Sequence, residues 1–141
     1  MKEKNFLSIS KIKRFFVGPT PSKPGQVFGS GGPTTSGRMD AYSPRLIKLG
    51  LHAMIGKGYR SDAVKKAIVD YHGVYFGAIG GAGAMMSSCI EECEVIAFDD
   101  LGPEAIRKLK VKNMPLVVVI DHLGNDLYEI GRKNYLKKDC K

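Results

Sequence analysis

Two hydroxyls, a guanidinium and an ammonium are spaced along this chain as a carboxylate-binding site would need them. Thr34 and Thr35 stand in the run Gly31-Gly-Pro-Thr-Thr-Ser-Gly-Arg-Met-Asp40, with Arg38 four residues after Thr34. If a helix begins at the threonines, residues four apart share one of its faces, and Thr34 and Arg38 point at one ligand. A planar guanidinium grips a carboxylate with two parallel bonds, and a helix start adds backbone N–H donors. Lys57, held between Gly56 and Gly58 after a strand, supplies a second cation at the same end of the sheet. The plainer reading of these residues is a threonine helix cap followed by a solvated arginine. Spacing alone leaves both readings open.

Other constellations fail on spacing. Val74 to Ala84 offers strand, glycines and helix in the order of a dinucleotide fold, with Asp99 and Asp100 further on. With Gly81 and Gly83 as its first two glycines, the third position is Met86, too large for the close helix–strand approach that fold needs. Small residues packing a helix on a sheet explain the run better, and the helix start there could still face an anion. A phosphate loop in Gly25 to Thr35 needs a lysine where Pro33 stands. Cys89 and Cys93 lie four apart on an expected helix, Cys140 lies near the end, and His52, His72 and His122 are scattered. None of these matches zinc or iron–sulfur spacing, and Cys89 reads as a buried, inert thiol.

The elements that position these residues follow from periodicity and turn chemistry. Arg14 to Gly18 reads as a strand, followed by a long loop punctuated by Pro19, Pro21, Pro24, Gly25, Gly29 and Pro33. Loops of that length in a compact domain are usually functional. Thr34 or Thr35 is expected to cap a helical turn; Ser43 is expected to cap the next helix, with Pro44 at its first position. Leu51 to Ile55 is a strand, and Ser61 opens a helix with Ala63, Val64, Ala67, Ile68 and Tyr71 on one face. Val74 to Ile79 is a strand, Ala84 to Glu91 a small-residue helix, Glu94 to Phe98 a strand and Pro103 to Leu109 a short helix. Leu116 to Ile120 reads as a buried strand, and Gly124-Asn125 turns it into an antiparallel partner, Leu127 to Ile130. Strands separated by helices imply crossovers and a largely parallel sheet, so the class is α/β.

Composition narrows the partners. At 141 residues the chain has room for one domain, and 43% hydrophobic with 26% charged residues excludes wholesale disorder. No apolar run reaches the ~18 residues of a membrane helix. An odd count of three cysteines suits a reducing compartment, and a cytoplasmic location is expected. The net charge of +8 attracts anions, but part of the excess sits at the ends. Lys2, Lys4, Lys11, Lys13 and Arg14 open the chain; Arg132, Lys133, Lys137, Lys138 and Lys141 close it. Residues 1–13 and 131–141 therefore read as basic tails around a domain at 14–130. A non-catalytic domain that meets nucleic acid through those ends is the alternative of a different class, although no nucleic-acid motif is present.

Several separate runs then carry a resemblance that periodicity cannot supply. They are Val17-Gly-Pro-Thr-Pro-Ser-Lys-Pro-Gly25, Gly32-Pro-Thr-Thr-Ser-Gly-Arg-Met-Asp40, Gly56-Lys-Gly58, Gly77-Ala-Ile-Gly-Gly81, Asp100-Leu-Gly-Pro-Glu-Ala-Ile106 and Asp121-His-Leu-Gly-Asn-Asp126. In this order, from about Phe16 to Leu127, they resemble the β subunit or C-terminal domain of class I fumarases and L(+)-tartrate dehydratases. The resemblance implies a swivelling β/β/α domain with a mostly parallel central sheet. It implies a hydro-lyase that interconverts fumarate and malate, or dehydrates tartrate, at an interface with an α subunit. That subunit would carry a [4Fe–4S] cluster, so this chain alone is expected to be inactive. By motif match Thr34 corresponds to the proton-transfer group, Arg38 to a substrate-carboxylate ligand and Lys57 to a further active-site cation. The family's earlier Thr-Ala-Arg-Asp-Ala-Ala-His-like motif has no counterpart in Met1 to Lys13, so part of a second β layer is expected to be missing.

Overall fold

The computed structural model describes residues 12–136; Lys2, Lys4, Lys11, Lys137, Lys138, Cys140 and Lys141 lie outside the described residues. In chain order the elements are β1 (Ile12–Phe15), α1 (Ser43–Lys48), β2 (Leu51–Gly56), α2 (Asp62–Asp70), β3 (Val74–Gly77), α3 (Gly83–Ser88), β4 (Ile90–Ala97), β5 (Ile106–Val111), β6 (Val117–Ile120) and α4 (Leu127–Leu136). Two short 3-10 turns, Ser36–Met39 and Asp99–Glu104, lie between them.

Parallel strands need a crossover, and α2 supplies one between β2 and β3. Its Val64, Ala67 and Ile68 are buried on one face, as their spacing predicts. Four strands pair in the order β1-β2-β3-β6. The first three are parallel, and β6 joins antiparallel beside β3. The expected mixed, mostly parallel α/β sheet is therefore present.

Central β2 is buried nearly throughout because both of its faces are covered. Successive side chains on a strand point to opposite faces, and the register sets Met54 beside Tyr75 and Ile55 beside Phe76. Met54 and Tyr75 join Ile47, Val64, Ile68 and Ile120 in the larger core, over which α1 and α2 lie. Ile55 and Phe76 join Ala78, Met86 and Leu116 in a smaller core against α3. Each fully buried aliphatic side chain here contributes on the order of 1.5–3 kcal/mol.

Four local expectations are corrected. Ile106–Val111 is a strand, not part of a helix over Pro103 to Leu109. Pro103 belongs to a 3-10 turn, and the next residues are drawn into pairing with β4, where Lys108 and Lys110 face Glu94 and Glu92. Lys110 reaches Glu92 at 2.7 Å; opposite charges across an antiparallel pair favour the strand by roughly 0.2–1 kcal/mol. The antiparallel hairpin is thus β4–β5, and Leu127 to Ile130 opens a helix instead of forming its second strand. Asp126 starts that helix: its Oδ1 accepts from the Tyr128 N–H at 3.0 Å, and its carbonyl accepts from Ile130. The helix also runs beyond residue 130, to Leu136. Val117 and Val118 are about half exposed, so only the end of β6, Val119 and Ile120, is buried. Ser43 lies one residue inside α1 instead of capping it, and its hydroxyl donates to the Met39 carbonyl at 2.8 Å.

Candidate functional site

The candidate residues reach one place through backbone pairing. After β1, the Phe16 carbonyl accepts from the Thr34 N–H at 2.9 Å, which carries the strand layer onward into Thr34. Thr35 and Lys57 then form a single parallel bridge. The Lys57 N–H donates to the Thr34 carbonyl at 3.3 Å, and the Ser36 N–H donates to the Lys57 carbonyl at 3.0 Å. Two reciprocal bonds therefore join the threonine segment to the Gly56-Lys57-Gly58 turn. Arg38 follows on the 3-10 turn Ser36–Met39.

Glycine on either side of Lys57 has a steric reason. A Cβ on Gly56 would lie 1.8 Å from the Ser36 hydroxyl, and Gly58 has φ +86°, where an L side chain is strained. The long loop before Thr34 is folded back by a bond from the Thr20 N–H to the Ser30 carbonyl at 2.9 Å. It also packs on the start of α3, where the Gly31 N–H donates to the Gly83 carbonyl at 3.2 Å. Gly83 thus serves close packing, with a Cβ there only 2.7 Å from Ser30 Oγ, whereas Gly81 is open and takes φ +81°.

The helix-start reading needs correction on three points. Thr35, not Thr34, holds the cap position, and its hydroxyl makes no cap hydrogen bond. Thr34 precedes the turn in extended backbone pairing, so it and Arg38 do not share a helix face. The N–H groups of Thr34 and Ser36 are committed to protein carbonyls, which removes two of the donors expected for an anion. What remains is side-chain chemistry. Thr34 is half-buried, while Arg38 and Lys57 are exposed. Among the described residues neither cation enters an ion pair. Two exposed cations on backbone segments tied to that of Thr34 suit a small dianion.

A polar network beneath these residues escaped the sequence reading. Arg60, with no side-chain exposure, donates from Nε to Asp40 Oδ1 at 2.7 Å and from Nη2 to Ser43 Oγ at 2.8 Å. Tyr75 Oη donates to the Gly58 carbonyl at 3.2 Å and lies 3.1 Å from Ser36 Oγ. Burial is the main cause that pushes the Tyr75 phenol above its ordinary range. Nothing local in sequence marks Arg60 or Tyr75, which meet these partners only through the sheet.

Cys89 ends α3 and Cys93 lies within β4, so the two do not share the helix expected for them; both are partly exposed. Among the described residues no group of three or more His, Cys, Asp or Glu side chains could hold a metal ion. None of their helices is long and apolar enough to cross a membrane. An open groove of about 390 Å³ between α1 and α2, lined by Arg45, Lys48, Lys66 and Tyr71 among others, contains none of the candidate residues.

Comparison with known proteins gives one family match and two kinds of relative. A family model described as Fumarase C-terminus matches residues 4–131. The chain is 39% identical over 117 residues to fumarate hydratase 1, mitochondrial, of Leishmania major, a match covering 82% of this chain and 21% of that protein. It is 38% identical over 117 residues to the aerobic class I fumarate hydratase of Escherichia coli K12, with the same coverage. A Methanocaldococcus jannaschii protein assigned by name to the L(+)-tartrate dehydratase subunit beta is 40% identical over 111 residues, covering 75% of this chain and 57% of that protein. The chain thus spans about a fifth of the fumarate hydratases it matches.

Proposed function

The chain belongs to the fumarase C-terminus family of hydro-lyases, and on that premise we propose that it is the β component of an enzyme interconverting fumarate and malate. The supporting observation is the pair of backbone bonds that sets the segment of Thr34 and Ser36, which leads into Arg38, against Lys57. In this reading the Arg38 guanidinium takes one substrate carboxylate through two parallel bonds and Lys57 balances the other negative charge. The Thr34 hydroxyl handles the proton at the carbon that becomes unsaturated, while the hydroxide lost from the neighbouring carbon leaves to a group that the partner chain supplies, so that proton and hydroxide together depart as water. A threonine is a weak base, so a proton acceptor from a partner chain completes the step.

The [4Fe–4S] cluster implied by the family resemblance does not fit the donor set of the described residues. In this reading an α subunit carries the cluster. Dehydration of L(+)-tartrate is the second reading, favoured by the relative whose name carries the words subunit beta and of which the chain covers 57%. Both substrates present two carboxylates to the same two cations. Ultraviolet assay of malate–fumarate interconversion, with iron analysis and a parallel tartrate assay, should be run on the chain alone and after anaerobic mixing with the cluster-bearing subunit. Activity only in the mixture is expected. Robust turnover by the metal-free chain, or silence with a cluster-loaded partner on both substrates, would overturn the proposal.

A further inference from the structure

Arg60 joins the two segments of the candidate site from below. Its guanidinium carbon lies 5.6 Å from the ring centre of Phe16 and 5.0 Å from that of Tyr75. Nε holds Asp40, and Nη2 holds Ser43, whose hydroxyl bonds onward to the Met39 carbonyl. One side chain therefore fixes both residues that close the turn carrying Arg38. Asp40 also accepts from the Ser61 N–H at 2.5 Å, which doubles the tie between that turn and the backbone around Arg60. Arg60 follows Lys57 by three residues, past Gly58, whose carbonyl is held by the Tyr75 hydroxyl.

Stability alone does not call for such a residue. A buried guanidinium–carboxylate pair loses as much in desolvation as it gains, and a well-packed apolar replacement is often no less stable. A fully bonded buried network fixes one geometry instead. We propose that Arg60 is a positioning residue that sets the Thr34–Arg38 segment against Lys57, so that one hydroxyl and two cations keep a single arrangement. Its purpose rests on the dicarboxylate reading above; the positioning itself does not.

The test is amide hydrogen exchange by NMR on the full chain, combined with titration of malate and tartrate. Arg60→Met should speed exchange of the Ser36 and Lys57 amides by at least ~10-fold and weaken malate binding by ~10-fold, the scale of a lost charge-assisted bond. The amides of Ile68 and Ile120, in the same core but outside the site, should accelerate far less than those of Ser36 and Lys57. Asp40→Ala and Ser43→Ala each cut one of the two links and should give smaller changes at the same amides, which keeps the idea testable if Arg60→Met fails to fold. Arg60→Lys keeps the charge but cannot reach both partners, and should restore the site only in part. Equal acceleration across the core would make Arg60 a stability residue only and overturn the proposal, as would unchanged exchange at Ser36 and Lys57. If the wild-type chain binds neither malate nor tartrate even when mixed with the cluster-bearing subunit, the dicarboxylate reading falls, while the exchange pattern still decides the role of Arg60.

Discussion

Gly56 and Ser36 touch where the two halves of the candidate site join: a Cβ at position 56 would stand 1.8 Å from the serine hydroxyl and 3.3 Å from the Phe16 ring. Gly56 ends β2 and Ser36 opens the turn that carries Arg38. The strand and the turn can meet this closely only without a side chain there. Gly56→Ala should displace Ser36 from Tyr75 and cost about 1–3 kcal/mol, as overpacking of a filled interior does. Thermal melting with malate titration checks this, and an unchanged Tm with unchanged binding would refute it.

Arg38→Lys should harm the assembled enzyme far more than its retained charge suggests. Arg38 is exposed and outside any ion pair among the described residues, so its loss leaves the fold intact. Replacing two-pronged carboxylate geometry by a point charge should cost about 2–4 kcal/mol in transition-state binding. Steady-state kinetics on malate measure this as kcat/KM. A near-normal value would remove Arg38 from the site.

Thr34→Ala separates catalysis from capping more cleanly than the sequence could. Thr34 stands before the cap position, and its segment is held through backbone bonds that alanine also makes. Melting temperature should therefore stay near wild type, while loss of a proton-transfer group should slow turnover by ~10²–10⁴-fold. Single-turnover kinetics beside a melt decide it; a destabilised variant with normal turnover would point to a structural hydroxyl only.

Stability should decline on the alkaline side. Lys65 lies 2.8 Å from the buried Asp126 Oδ2, as an ion pair rather than an aligned hydrogen bond, and also contacts Glu129. The Asp126 contact foremost, then Glu129, holds its pKa well above the ordinary 10.5. A cation whose pKa is raised by folding stabilises fully below its unfolded value, and that contribution fades as pH climbs towards the folded one. Tyr75, whose phenol is raised by burial, adds loss in the same window, because the unfolded state gives up its proton first. Urea unfolding should thus show stability falling above ~pH 10. Lys65→Met should flatten part of that slope and cost about 1–3 kcal/mol near neutrality by leaving Asp126 buried without its counter-ion. A slope unaltered by the substitution would count against this account.

Some features were legible because local chemistry decides them. The spacing of Val64, Ala67 and Ile68 marks a helix with one buried face, and that helix forms between two parallel strands. The start of α4 was misread: Asp126 followed three residues later by Glu129 is a helix-opening signal, but the preceding Gly124-Asn125 pair points to a hairpin turn, and the strand expected over Leu127 to Ile130 is a helix. Pro103 misled in the opposite sense. Its helix-start preference is local, whereas β5 exists because Lys108 and Lys110 find Glu94 and Glu92 across the hairpin.

The sequence by itself determined the family, the α/β class and the candidate residues Thr34, Arg38 and Lys57, since residue identity and order are properties of the chain alone. The tertiary structure alone decided how those residues are held. Thr34 and Lys57 are 23 positions apart in sequence yet share a backbone bond because β1 and β2 run parallel and their ends continue side by side. Arg60 has no local signature, because its role depends on Asp40, Ser43 and Tyr75, which converge only after β2 and β3 pair and α1 packs over them. Hydrogen bonds between distant residues follow from strand order and packing, and neither is written in any short window of sequence.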